Sequence, residues 1–207
     1  QKDMLNFSLS HPRCCYFGEV GTGKTRPSIL AFYVRKTRGK ANKCLIVCTA
    51  GTLYNWEDEI QLASQNLTSV VLYGRSYADR VSKLKLEADF YIINYDYVER
   101  MEEDLLEAGF DHLIVDELTY VKHHTTQRSK SLRNICKTIP YRIGLTGTPI
   151  TNTPMDAFGE LLIINPELFG TNFYVFRNRY FQNTGRYFPD WHTKPGSEEK
   201  IGAELDK

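Results

Sequence analysis

Hydrophobic positions along this chain follow two rhythms in turn. Short runs rich in β-branched and aromatic residues have the length and the flanks of strands: CCYF at 14–17, CLIVC at 44–48, SVVLY at 69–73, FYIIN at 90–94, HLIVD at 112–116 and YRIGLT at 141–146. Between them apolar residues recur at helical spacing, as Leu53, Trp56, Ile60 and Ala63 in one stretch and Tyr97, Val98, Met101, Leu105 and Ala108 in another. This alternation predicts an α/β fold, a mostly parallel sheet with helices on both faces. No internal repeat or low-complexity tract is visible. Residues 185–207, with Pro189, Pro195, Gly196 and a charged end, are weakly patterned and read as a boundary or linker.

Composition bounds the function. At 207 residues and 42% hydrophobic, the chain can bury a core as one large domain or one and a half small ones. Lys and Arg number 26 against 25 Asp and Glu, so there is no whole-surface basic field and any nucleic-acid site must be local. Apolar runs such as 161–164 are too short to cross a bilayer, and residues 1–17 lack a charged start followed by an apolar stretch. The expectation is an intracellular protein without a membrane partner. Cys14, Cys15, Cys44, Cys48 and Cys136 show no paired spacing and read as reduced structural thiols, with Cys44 and Cys48 on one strand face. Adjacent His123 and His124 would point apart and read as a solvated loop pair.

In open parallel sheets ligands sit beyond the carboxyl ends of the strands, and three of the six runs are followed there by residues that carry chemistry. GEVGTGKT at 18–25 fits the phosphate-loop pattern of Gly, four residues, Gly, Lys and then Ser or Thr, between a predicted strand and a predicted helix over 24–37. Gly21 and Gly23 let successive amides around Thr22 turn toward one anion, and the helix offers its positive end. Lys24 reaches the outer phosphates and the Thr25 hydroxyl can ligate magnesium. Pro27 is compatible because it falls in the first helical turn. HLIVDE puts two carboxylates, Asp116 and Glu117, at the tip of an apolar strand. Alone, such a pair is a solvated loop start. Beside a phosphate loop, Asp116 would hold magnesium and Glu117 would orient and deprotonate the attacking water. After the last strand, Thr146, Gly147 and Thr148 form a turn signal.

Taken together and in this order, GEVGTGKT, IVDELT and GLTGTP resemble the first RecA-like lobe of superfamily 2 helicases and translocases. CLIVCTAGTLYNWEDEI at 44–60, VDELTYVKHHTTQRSKSL at 115–132 and NPELFGTNFYVFRNRYF at 165–181 are similar to segments of its Swi/Snf-like ATPases. The resemblance covers the chain to about residue 181. It implies a RecA-like phosphate-loop NTPase domain that binds ATP and Mg²⁺, hydrolyses ATP, and moves on duplex DNA together with a second RecA-like lobe in cis. It implies catalytic Lys24, Asp116 and Glu117, magnesium on Thr25 and Asp116, and nucleotide contacts from Gly21, Thr22, Gly23, Lys24 and Thr25. Gln1, otherwise a solvated terminal residue, takes the adenine-recognising role. Thr119, Thr146 and Thr148 would couple the nucleotide to DNA, and Thr49, Asn94, Tyr95 and Lys122 would touch nucleic acid. Trp56 and Tyr95 read either as base-stacking or as core residues. Lys122, Arg128, Lys130 and Arg133 form a local basic cluster, either a solvated face or a phosphate contact, and Arg177 and Arg179 brace the lobe. Residues 1–168 are the expected ATP-binding lobe and 169–207 a closing helix and linker toward the second lobe.

Two departures accompany the resemblance. The acidic box of the family reads Asp-Glu-Ala-His, whereas Leu118 and Thr119 stand in its last two places here. Residues 182–207 contain no arginine motif of the kind the second lobe supplies, so the chain reads as a fragment that is inactive without that lobe. A nucleotide-binding module that does not hydrolyse, an RNA helicase and a restriction-type translocase are the competing readings.

Overall fold

The computed structural model describes residues 1–19, 21–147 and 154–205. In chain order the elements are α1 (Lys2–Ser10), β1 (Arg13–Phe17), α2 (Thr25–Thr37), β2 (Cys44–Cys48), α3 (Leu53–Ala63), β3 (Ser69–Val71), α4 (Tyr77–Leu84), β4 (Phe90–Asn94), α5 (Tyr95–Val98), α6 (Glu102–Glu107), β5 (His112–Asp116), α7 (Gln127–Cys136), β6 (Tyr141–Thr146), α8 (Asp156–Ile164), α9 (Phe173–Tyr180), β7 (Phe181–Asn183), β8 (Trp191–Thr193) and α10 (Ser197–Leu205). The first six strands form one sheet in the order β1-β6-β5-β2-β4-β3, and every pairing in it is parallel.

Side-chain alternation along the strands divides the core into two layers. Leu45 and Val47 of β2, with Tyr91, Ile93, Leu113 and Val115, pack beneath α5, α6, α7 and α8. Cys44, Ile46 and Cys48 face the other way, with Phe90, Ile92 and Ile114, toward α1, α2 and α3. Both faces are therefore dry, as the sequence predicts. Cys14, Cys44, Cys48 and Cys136 are buried free thiols inside these layers, and Cys15 is half-buried.

Two expectations are revised. The helix read across 97–108 is broken into α5 and α6, because Glu102, Glu103 and Asp104 crowd the first turn of α6, where acidic side chains favour a new helix N-terminus. The weakly patterned tail carries structure: β8 pairs in an antiparallel hairpin with β7, which lies just before the tail, and α10 follows. Its core is made by Phe158 and Leu162 of α8 with Phe176, Tyr180, Phe181 and Ile201. Arg177 lies over the Trp191 ring at 3.9 Å, which braces α9 against the hairpin.

Candidate functional site

The phosphate loop leaves β1 at Phe17, and its first amide, Gly18 N–H, donates to Thr146 O (3.3 Å), tying it to the end of β6. Gly21 (φ +87°) and Gly23 (φ +73°) occupy the left-handed region that other residues avoid. A Cβ at Gly23 would also collide with the Gln1 side-chain amide, so Gln1 lies directly against the loop. Thr22 Oγ1 donates to Glu19 O (2.8 Å). The Lys24 ammonium donates to the carbonyls of Gly18 and Glu19, which holds the lysine within the loop.

The acidic pair is held from three sides. Trp56 Nε1–H donates to Asp116 Oδ2 (2.9 Å), and the Tyr95 hydroxyl donates to Asp116 O (2.7 Å) and Glu117 O (3.2 Å). Glu117 adopts φ 59°, ψ 69°, and among the described residues it alone is left-handed without being glycine. Thr119 Oγ1 donates to Glu117 Oε1 (2.8 Å). Burial raises the Asp116 pKa, the Trp56 hydrogen bond opposes the rise, the Glu117 charge adds to it and the Lys24 charge opposes it.

Loop and acids meet because β1 and β5 both border β6, which puts their carboxyl ends about 10 Å apart at the usual strand spacing. The resulting cleft of about 570 Å³ is lined by Gly23, Lys24, Thr25, Asp116, Glu117 and Thr146 among others. Beside it a hollow of about 250 Å³ is bounded by Gln1, Leu5, Arg26, Pro27 and Leu30. Sequence reading thus names the phosphate loop and the acids, but it misses Trp56 and Tyr95 as their supports. No sequence pattern signals an indole or phenol aimed at a strand end from another element.

Other candidates are placed differently from one another. Thr49 also lines the cleft, with its hydroxyl against that of Thr52 (3.0 Å). Asn94 is buried, donating to Asp96 Oδ2 (3.4 Å). Tyr95 is buried and stacks on Tyr120 with ring centroids 5.1 Å apart, so neither it nor the buried Trp56 presents a ring to bases. This revises the contact expected of Tyr95: its hydroxyl is needed to hold the acidic pair. Lys122 lies 3.5 Å from Asp156, and Arg128 pairs with Asp96 at 2.7 Å. Thr146 is buried, and Thr148 lies outside the described residues. The histidines are not a solvated pair, since His124 stacks on Phe173 at 4.5 Å.

A family profile described as SNF2-related domain matches residues 4–202. The DNA annealing helicase and endonuclease ZRANB3 of Bos taurus is 30% identical over 192 residues, covering 91% of this chain and 18% of the relative. The ISWI chromatin-remodeling complex ATPase ISW1 of Saccharomyces cerevisiae is 25% identical, covering 87% and 15% respectively. Among solved structures, the Sulfolobus solfataricus SWI2/SNF2 ATPase core in complex with dsDNA matches with a TM-score of 0.75 at 28% identity, over 86% of this chain and 36% of that one. The doubly covered parallel sheet is thus the RecA-like fold of such a core. The chain spans less than a fifth of the length of these curated relatives.

Proposed function

Because the chain belongs to the SNF2-related domain family, we propose that it is the first motor lobe of a DNA-dependent ATPase that moves on duplex DNA and works with a second RecA-like lobe. The observation that carries this reading is the convergence of Lys24, Thr25, Asp116 and Glu117 on one cleft. The donor set fits a magnesium nucleotide. The Thr25 hydroxyl and the Asp116 carboxylate face the same space, and a carboxylate withdrawn from water favours a cation beside it. Magnesium, when bound there, would neutralise charge on the phosphoryl oxygens.

The chain's own residues then divide the work. The loop amides and Lys24 bind the phosphates, and the hollow beside Gln1, where Leu5, Pro27 and Leu30 supply an apolar surface edged by the Gln1 amide, Lys2 and Arg26, accepts the adenine. Trp56 leaves one Asp116 oxygen without a bond from its indole, available to a metal ion. Glu117 Oε1 takes the Thr119 hydroxyl, which leaves Oε2 without a bond from that residue and able to accept the proton of the attacking water. Thr119 stands where the family's acidic box has its histidine, and its hydroxyl bond to Glu117 would carry the coupling role there. Thr146, joined to the loop through Gly18, and Thr148 carry the change toward DNA, and Thr49 offers a phosphate contact at the cleft rim. Residues 1–168 form the nucleotide lobe and 169–207 lead toward the second.

Fluorescent-nucleotide titration and ATP turnover with duplex DNA test the assignment. Lys24→Ala should abolish nucleotide binding, while Glu117→Gln should keep it and lower turnover on the order of 10²-fold or more. Undiminished turnover in either variant overturns the scheme, and binding without turnover in the two-lobed protein would favour a non-hydrolysing module.

A further inference from the structure

The basic cluster that follows the acidic pair does not act as one patch. Lys122 and Arg128 each face an aspartate, whereas Lys130 and Arg133, on the next turns of α7, line a separate cavity of about 630 Å³ with Lys137, Arg13 and Arg142. This cavity lies at the amino ends of β1 and β6, the opposite end of the sheet from the phosphate loop. Arg13 and Arg142 are directly paired in register, an arrangement in which like charges repel.

Arg142 is the built part of the cavity. It is 4% exposed, and its Nε donates to Ile139 O (2.8 Å) while Nη1 donates to Ile163 O (2.9 Å) and Ile164 O (3.5 Å) at the end of α8. Those bonds fix the guanidinium plane, and among the described residues Nη2 has no hydrogen-bond partner. The carboxylate among the lining residues, Glu167, is engaged by Arg13 at 2.7 Å. Lys137 donates to the neutral Asn134 Oδ1 (2.9 Å). Burial lowers the pKa of both Arg133 and Arg142, as expected where cations are drawn out of water without matching anions.

We propose that this cavity is a second anion site, independent of the nucleotide site, which takes phosphoryl groups held close together, either a free polyphosphate or the backbone of a nucleic acid. Five cations around one paired carboxylate are matched better by clustered phosphoryl charge than by an acidic peptide, which carries one charge per side chain. Arg142 Nη2, held in a fixed orientation by the bonds of Nε and Nη1, suits a charge-assisted contact to one phosphate oxygen.

The test titrates inorganic tripolyphosphate into the protein carrying Lys24→Ala, which removes the phosphate loop from the measurement. We expect one-site binding that weakens roughly tenfold or more when Lys130→Glu and Lys137→Glu are added. Both lysines are exposed, so the fold should persist, and circular dichroism checks it. Lys130→Gln with Lys137→Gln should give a smaller loss in the same direction. Displacement by a single-stranded oligonucleotide, with a salt slope shallower by about 0.7 for each lysine removed, assigns the site to a nucleic-acid backbone. Displacement by free polyphosphates alone assigns it to those. Absence of binding, an affinity unmoved by the charge reversals, or tighter binding of an oligoglutamate of equal charge overturns the proposal. None of these outcomes depends on whether the phosphate loop binds ATP.

Discussion

Three hydrogen bonds hold Glu117 in a backbone conformation that a carboxylate side chain rarely adopts: Tyr95 O–H and Tyr120 N–H onto its carbonyl, and Thr119 O–H onto Oε1. Strain of this kind costs on the order of 1–3 kcal/mol. Thr119→Val removes only the bond to the carboxylate, so nucleotide affinity should stay the same while kcat in the two-lobed protein falls roughly tenfold. A Thr119→Ser variant should recover most of the loss, and a change in KM alone would assign Thr119 to binding instead. The role of the pair is legible in HLIVDE only beside the phosphate loop, since alone two carboxylates at a strand tip read as a solvated loop start. The left-handed turn between them and Thr119 is not, since no residue type at 117 announces it.

At the scale of elements, α8 is pressed against the turn that follows the acidic pair. A Cβ on Gly159 would lie 1.8 Å from the Lys122 carbonyl oxygen, a backbone atom that has no rotamer in which to retreat. In an isolated helix Gly→Ala is favourable by about 1 kcal/mol, but here the clash dominates, and overpacking of this type costs about 1–3 kcal/mol. Gly159→Ala should therefore lower the midpoint of denaturant unfolding, and a rise would mean that α8 is free to move outward. Strand positions are legible in the sequence to within a residue or two because β-branched runs between breakers have few alternatives. The break at 99–101 escapes a reading based on apolar spacing, since Val98, Met101 and Leu105 all remain buried on either side of it. The hairpin of β7 and β8 escapes for a related reason. Its strands are three residues each and its tip exposes Tyr187 and Phe188 at 84%, so no inside-outside alternation develops.

Across the whole molecule, parallel strands between helices imply the layered fold, but the strand order that sets β1 and β5 on either side of β6 depends on long-range packing that no local pattern encodes. That order has an energetic consequence, since it gathers carboxylates as well as the lysine. Glu160 on α8 is 2% exposed, its Oε1 has no hydrogen-bond partner among the described residues, and its pKa is pushed up to about 8, first by burial and then by the charges of Asp156 and Glu117, with Lys122 opposing. Burial raises the thiol pKa of nearby Cys15, with smaller contributions from Cys14 and then Glu160. In the folded chain this carboxyl keeps its proton to about pH 8, whereas its ordinary value is 4.5, so between those limits the folded state binds more protons than the unfolded state. The stability it contributes is complete below about pH 4.5 and is lost as pH rises through 8. Glu160→Gln keeps the site neutral throughout. Its unfolding free energy, measured by urea titration at successive pH values, should fall less steeply than that of the parent across this window and exceed it above pH 8. If the two proteins instead lose stability in parallel, Glu160 is already ionised in the folded state and Lys122 compensates it in full.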